Sequence, residues 1–267
     1  MSGKKKYNNV SPLRYPGGKT RACKCLDKIL LEYFNLNDFN NILSPFFGGG
    51  SFEFYIQNNY GLKIIGNDKF KPLYNFWNIT KNRQIDLCNK LYENLNTINK
   101  EKFLNFRKNI MDEEDDFHQS FLYFIINRCS FSGATLSGGF SLESSQKRFT
   151  KSSIDRIKNL NLIEFDIFNL DFEEFINNNN NEKNFIFLDP PYYLEKKSKL
   201  YGNNGDMHYD FDHNKLFKCI SEKKNWLMTY NNCEFIKNLY KNFIIIETSW
   251  SYGMNKSKES SEIIIIG

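Results

Sequence analysis

Short apolar runs punctuate an otherwise polar chain, and each ends in turn chemistry. They occupy residues 40–46 (NNILSPF), 62–68 (LKIIGND), 161–166 (NLIEFD), 184–191 (NFIFLDPP), 225–230 (NWLMTY), 242–250 (NFIIIETSW) and 262–267 (EIIIIG). Runs that are apolar throughout, rather than at alternate positions, belong to strands buried on both faces. Between most of them lie stretches of helical length and spacing, such as 211–224 and 233–242. The alternation predicts an α/β fold with a mostly parallel, doubly wound sheet. The last two runs are separated only by the polar link SYGMNKSKESS. No helix fits there, so a hairpin is expected, placing an antiparallel strand at that end of the sheet.

One interval breaks the alternation. Residues 78–159 carry helical patterning (IDLCNKLYENLNTI, DFHQSFLYFIINR) followed by a Gly- and Ser-rich stretch, SFSGATLSGGFSLESS. This divides the chain into a basic, flexible tail at 1–10, a main domain made of 11–77 and 160–267, and a helical insertion at 78–159. The acidic run MDEEDD (111–116) reads as a solvated loop leading into a helix, and NNNNN (177–181) as a low-complexity loop.

Composition narrows the class. The 267 residues are 40% hydrophobic and 16% aromatic, with 26 phenylalanines, enough for a substantial core. No apolar run approaches the roughly 18 residues of a membrane span, and the N-terminal lysines precede no apolar signal region. An intracellular protein without a membrane partner is expected. Six scattered cysteines without a C-x-x-C pair read as reduced thiols, with Cys23 and Cys25 as packing residues of the first helix. A net charge of +5 is compatible with a polyanionic partner without demonstrating one.

The chemistry gathers where strands end. RYPGGKT (14–20) looks at first like a triphosphate-binding loop, but Leu13 stands where that loop needs glycine, and no buried strand precedes it. The first strand runs into SPFFGGGSFEF (44–54), where three glycines before a helix either allow a ligand close to the backbone or simply pack tightly. The second ends in GND. Asp68 there suits either a ribose diol or the cap of the next helix. The glycine spacing is not that of a dinucleotide fold. In FLDPPYY (187–193), Asp189, Pro190, Pro191 and Tyr192 form a rigid strand-end platform. A carboxylate and a carbonyl there can accept from an exocyclic amine while an aromatic ring stacks on a flipped base.

RYPGGK, FFGGGSFEF, GND and DPPY, in this order, resemble the Dam-type DNA adenine methyltransferases over residues 11–192. The resemblance implies the S-adenosylmethionine-dependent methyltransferase fold, with S-adenosyl-L-methionine as cofactor and double-stranded DNA as partner. It makes 78–159 the target-recognition domain. A cognate restriction endonuclease enters as a partner in function rather than in complex, and the protein acts as a monomer or weak dimer. Cofactor contacts carry over to Tyr15, Lys19, Asp68 and Asp189, with Phe47, Gly48, Gly49, Gly50 and Ser51 passing the methionine moiety and Asp166, closing IEFD, near the adenine ring. RYPGGK becomes a cap over the cofactor, with Tyr15 as an aromatic wall and Lys19 reaching a carboxylate, either the cofactor's or that of Asp189.

The expected mechanism needs no metal. Asp189 and the Pro190 carbonyl accept the two amine protons of adenine, and Tyr192 stacks on the base. DNA contacts are expected from Arg128, Ser130, Phe131 and Ser132, and from Lys147, Arg148 and Lys151 beside a helix start. The cluster GDMHYDFDH (205–213) reads as a hydrogen-bonded loop rather than a metal site. Aspartate before the prolines favours adenine. Cytosine's amine, adenine in RNA, and a non-catalytic DNA-binding module on a decayed fold are the competing readings.

Overall fold

The computed structural model describes residues 7–179, 181–193, 211–250 and 260–267. Seven strands form one sheet: β1 (Asn41–Ser44), β2 (Lys63–Asn67), β3 (Phe165–Phe168), β4 (Asn184–Leu188), β5 (Trp226–Asn231), β6 (Ile244–Trp250) and β7 (Ser260–Ile266). Their order is β3-β2-β1-β4-β5-β7-β6. The first five run parallel, and β7 is antiparallel to both β5 and β6. The expected terminal hairpin is present, and its return strand β7 slots between β5 and β6. The link at 251–259 lies outside the described residues, as do tail residues 1–6 and residues 205–210 of the histidine–aspartate cluster.

Helices cover both faces. On one lie α1 (Cys23–Tyr33), α2 (Ser51–Tyr60) and α3 (Lys71–Asn82), continued by α4 (Gln84–Glu93), α5 (Lys100–Asn109), α6 (Asp116–Cys129), α7 (Leu142–Lys147) and α8 (Lys151–Lys158). On the other lie α9 (Phe172–Asn178), α10 (His213–Ile220) and α11 (Glu234–Leu239). Each face has its own apolar core, the first built around Trp77, Phe76 and Phe165, the second around Trp226, Tyr240 and Phe175. All five residues of β4 are buried, as its continuous apolar run requires at the centre of the sheet.

Three boundaries differ from those read in the sequence. Residues 7–10 are not all tail: Tyr7 is buried, and Asn9 bonds to Gln57, Asn58 and Asn161. The same Asn9 takes up the backbone of Asn161 through both N–H and C=O, so β3 starts at Phe165 rather than in the run from 161. The boundary at 77/78 falls inside α3, which continues because Ile79 and Thr80 remain buried. From Gln119 to Cys129, α6 is buried at every position, and Phe124 stacks on Phe76 of α3 with ring centroids 5.7 Å apart. The helical insertion therefore shares the core of the sheet domain.

Candidate active site

Strand order reverses between β1 and β4, the place where an open α/β sheet leaves a crevice beyond its carboxyl edge. Into that crevice come the glycine loop after β1, Asp68 after β2, the Asp-Pro-Pro-Tyr platform after β4 and the end of β5. Each strand is hydrogen-bonded to its neighbours, so these side chains stand on a rigid base.

Lys19 comes from outside the sheet and closes this set. Its Nζ lies 2.8 Å from each carboxylate oxygen of Asp189 and also donates to the Tyr192 hydroxyl at 3.0 Å and the Gly17 carbonyl at 3.0 Å. An ammonium has three N–H donors, and three residues take them up. Of the two acceptors expected for Lys19, the structure supplies Asp189. Lys19 is 3% exposed, so its pairing with Asp189 is partly withdrawn from water. Thr229, fully buried on β5, donates its hydroxyl to Asp189 Oδ1 at 2.6 Å. Each carboxylate oxygen then accepts one hydrogen bond, Oδ2 from Lys19 and Oδ1 from Thr229, and lone pairs remain on Oδ2 for a further donor. No donor among the described residues reaches the Pro190 carbonyl.

The glycine loop is locked from several directions. Gly48 and Gly50 sit at φ +52° and +66°, where a side chain would be strained. A Cβ on Gly48 or Gly49 would also lie 2.9 Å from Tyr15, so the tyrosine rests directly on the loop. Trp77 Nε1 donates to the Gly48 carbonyl at 2.9 Å. Phe47 is 2% exposed, with its ring 5.2 Å from Trp77, and its N–H and carbonyl are taken by Asn67 and Gly50. It shapes the loop from below and presents no group to a ligand. Ser51 opens α2 and is held by the Thr20 hydroxyl at 3.1 Å.

Asp68 is both a brace and an open acceptor. Oδ2 accepts from the Gly48 N–H at 2.9 Å and Oδ1 from the Phe70 N–H at 3.0 Å, tying the loop to the entry of α3, whose cap position is Phe70. It is 7% exposed, and no cation among the described residues pairs with it. Burial pushes its pKa up to about 6, against the pull of those two N–H groups. A buried carboxylate with spare lone pairs and no counter-cation, beside backbone that only glycine permits, fits a ligand bearing vicinal hydroxyls.

Asp166 is not part of this edge. It is the second residue of β3, paired in register with Ile65 at the middle of β2, and so stands short of the strand's carboxyl end. Lys63 and Lys81 clamp its carboxylate at 2.5 and 2.6 Å. The carboxyl end of β3 instead leads to Asp171, which caps α9 and bonds Lys69 at 3.2 Å and Lys215 at 2.9 Å. Phe172 follows, packed against Phe46 and Phe211 with centroids 5.6 and 5.5 Å away.

The residues expected at DNA divide in two. Phe131 is 65% exposed and Lys147, Arg148 and Lys151 are exposed, while Ser132 is half-buried at φ +57°. Arg128 and Ser130 are buried at 7% and 0%. Arg128 spends Nε on the Arg148 carbonyl at 2.7 Å and an Nη on the Pro12 carbonyl at 3.1 Å, and Ser130 bonds the Asn127 carbonyl at 3.2 Å. Both are turned into the protein: Arg128 lies on the stretch of α6 that is buried all round, and Ser130, just past the helix, also accepts from the Thr135 N–H at 3.1 Å. Cys25 differs too: it is exposed, whereas Cys23 is buried.

Three polar residues at this edge went unread in the sequence. Thr229 interrupts a buried apolar strand and Asn67 ends one, and a single polar residue at such a place has no spacing that marks it out. Asn67 donates to the Pro45 and Leu170 carbonyls and accepts from the Leu170 N–H at 2.8 Å, stitching two strand-end loops together. Glu53, on α2, is 2% exposed and accepts from the Ser44 hydroxyl at 2.5 Å; burial pushes its pKa up to about 7.

No helix among the described residues is long and apolar enough to cross a membrane. Comparison with known proteins matches residues 15–254 to a family model described as D12 class N6 adenine-specific DNA methyltransferase. The chain is also similar to the type II methyltransferase M.MjaIII of Methanocaldococcus jannaschii, at 23% identity over 259 residues, covering 87% of this chain and 88% of the relative. With the match running from Tyr15 through the Asp-Pro-Pro-Tyr segment and past β6, the chain belongs to the D12 class N6 adenine-specific DNA methyltransferases.

Proposed function

We propose that this adenine-specific DNA methyltransferase receives a flipped adenine on its Asp189–Tyr192 platform and holds S-adenosyl-L-methionine against Tyr15, the glycine loop and Asp68. One observation carries the reading: Lys19 and Thr229 fix the Asp189 carboxylate with one hydrogen bond on each oxygen and leave Oδ2 able to accept another, beside the uncommitted Pro190 carbonyl. Two acceptors, one charged and one neutral, suit the two protons of an exocyclic amine.

The bound cofactor supplies an electrophilic methyl group on a sulfonium centre. The protein's part is position and electrostatics. Adenine's amino nitrogen is a poor nucleophile while its lone pair is delocalised into the ring. Hydrogen bonds to Asp189 Oδ2 and the Pro190 carbonyl draw the nitrogen toward a tetrahedral shape and turn the lone pair out of the ring plane. Tyr192 stacks on the base, its hydroxyl held by Lys19. Methyl transfer leaves a surplus proton on the nitrogen, and Asp189 Oδ2 is the acceptor already bonded to it.

Gly48 and Gly49 admit the methionine moiety, and Ser51 borders it at the start of α2. Asp68 takes the ribose hydroxyls. Asp171 and Phe172, at the carboxyl end of β3, replace Asp166 as the acidic and aromatic pair beside the cofactor's adenine. Helices α4–α8 and the loop 130–141 form the target-recognition part, with Phe131 and Ser132 facing the grooves and Lys147, Arg148 and Lys151 the phosphates. The type II designation of the archaeal relative supports a role as a modification enzyme paired in function with a restriction endonuclease. A DNA substrate places its work inside a cell.

The test is transfer of labelled methyl groups from S-adenosylmethionine to unmethylated duplex DNA, followed by identification of the nucleoside. N6-methyladenine is expected, and Asp189→Ala should abolish it without loss of the folded state. Label on cytosine would overturn the reading of the Asp189 platform. Activity retained in Asp189→Ala would refute the mechanism.

A further inference from the structure

Arginines gather around residues 12–14, and no acid among the described residues pairs with them. Arg14 donates from one Nη to the Ser130 carbonyl and to the Ser144 hydroxyl, both at 3.2 Å. Arg128 lies behind it, donating to the carbonyls of Pro12 and Arg148. The chain segments 12–14, 128–130 and 144–148 thus converge, carrying three guanidinium groups into one region. Among the described residues, no carboxylate lies within salt-bridge distance of Arg14, Arg128, Arg148 or Arg156. The acids on the neighbouring helices are engaged: Glu143 with Lys147 at 3.1 Å, and Asp155 with the Tyr92 hydroxyl at 2.5 Å. Burial, and then the fields of Arg14, Arg156 and Arg148, pull the Arg128 pKa down to about 9.

Folded proteins pair their buried charges. A buried guanidinium set among other arginines, with no carboxylate among the described residues in reach and bonded only to neutral carbonyls, is therefore a cost that the free protein bears. An anion placed among them would reverse its sign. Arg14 is half-buried, while Arg148 and Arg156 are exposed, so the group is open on one side. That side adjoins Lys147 and Lys151, and the known substrate is a polyanion whose backbone offers single negative charges at regular spacing.

We propose that Arg14, Arg148 and Arg156, backed by the buried Arg128, form a seat for one backbone phosphate of the substrate DNA. Arg128 supplies charge from behind and makes no contact; Arg14 and Arg148 touch the phosphate oxygens. The inference rests on the DNA-methylating reading above and adds Arg14 to its binding surface. Because Arg14 is five residues before Lys19, the seat attaches DNA to the same short segment that holds Asp189.

Arg148→Gln and Arg156→Gln test it, since both side chains are exposed and no carboxylate among the described residues pairs with either. Removing either relieves repulsion, so the Tm of the free protein should hold or rise while DNA affinity falls. The loss should be equal for target and non-target duplexes, with the slope of log Kd against log salt reduced by about one charge per variant. Inorganic phosphate should raise the Tm of the wild type more than chloride at equal ionic strength, and the double variant should lose that increment. A lowered Tm with an unchanged salt slope would make these arginines structural and overturn the seat. Wild-type methylation of DNA alongside unchanged slopes in both variants would reject the seat alone. A wild type that neither binds nor methylates DNA would reject the underlying reading as well.

Discussion

Asp189 and Lys19 stand 170 residues apart in the chain and meet at 2.8 Å, with Thr229 completing the grip on the carboxylate. The importance of the first two was legible because each lies in a compact motif whose residue types have few structural excuses. Thr229 was not, since one hydroxyl in an apolar strand carries no spacing signature. Its role makes a prediction. A hydrogen bond to a charged group contributes about 1.5–3 kcal/mol, so Thr229→Val, which keeps the shape and removes the donor, should slow methyl transfer by about 10- to 150-fold. Single-turnover rates with saturating DNA measure it, and the KM for DNA should stay within about twofold. A KM effect with unchanged kcat would show that Thr229 serves binding instead. That Asp166 does not close its strand has a long-range cause. The apolar run was taken to end at that residue, but the Asn9 side chain occupies the backbone at Asn161 and displaces the strand by several residues. A contact spanning 152 residues is invisible to periodicity.

Among the elements, α6 does more than support the loop that follows it. Asn127 is fully buried near its end; its Oδ1 accepts from the Arg14 N–H at 2.9 Å and its Nδ2 donates to the Arg14 carbonyl at 2.7 Å. One side-chain amide thereby satisfies both backbone groups of Arg14, as a neighbouring strand would. Gly133 completes the joint: at φ +73° it abuts Arg14, and a Cβ there would lie 2.7 Å from the arginine's own. The segment bearing Lys19 is thus fastened to the helix that precedes the loop 130–141. Asn127→Ala leaves two partly buried backbone groups unpaired and should destabilise the fold by roughly 2 kcal/mol or more, read from denaturant midpoints at constant m. Asn127→Asp keeps the acceptor and loses the donor, so it should fall between. Equal stability of Asn127→Ala and wild type would show that the joint contributes nothing. The strand–helix alternation, the hairpin and the helical insertion could all be read from the sequence because they are periodic. The seam between insertion and sheet domain could not. It is buried helix surface, and an apolar helix face has the same pattern whichever partner covers it.

At the scale of the molecule, the carboxyl edge of the sheet sets stability against binding. Glu53 and Asp68 are both buried, and burial raises their pKa values to about 7 and about 6. For a carboxyl whose folded pKa exceeds its unfolded value, the folded state binds more protons between the two values, so stability falls as pH rises through that window. Both groups therefore weaken the cofactor-free fold between about pH 4 and pH 7. Asp166 and Asp171 act in the opposite sense at lower pH. Burial pushes each up, but lysine partners, with the Glu173 N–H at Asp171, outweigh it and hold both below the usual range; their contribution is lost as pH falls through the depressed values. The free protein should accordingly be most stable at mildly acidic pH. The binding of S-adenosylmethionine should run the other way, because ionised Asp68 is the better acceptor for hydroxyl donors, and its affinity should rise as pH passes about 6. Glu53→Gln separates the two effects. It removes the titration at Glu53 and keeps a neutral group of similar shape beside Ser44. Against wild type it should gain roughly 3 kcal/mol at pH 8, with no gain at pH 4, while the pH dependence of cofactor affinity stays in place. Unfolding curves across that range, with cofactor titrations at each pH, measure both. Stability curves that run parallel for variant and wild type would show that Glu53 carries its charge without cost. A pH-dependent affinity lost along with the Glu53 carboxyl would move the cofactor's acidic contact from Asp68 to α2.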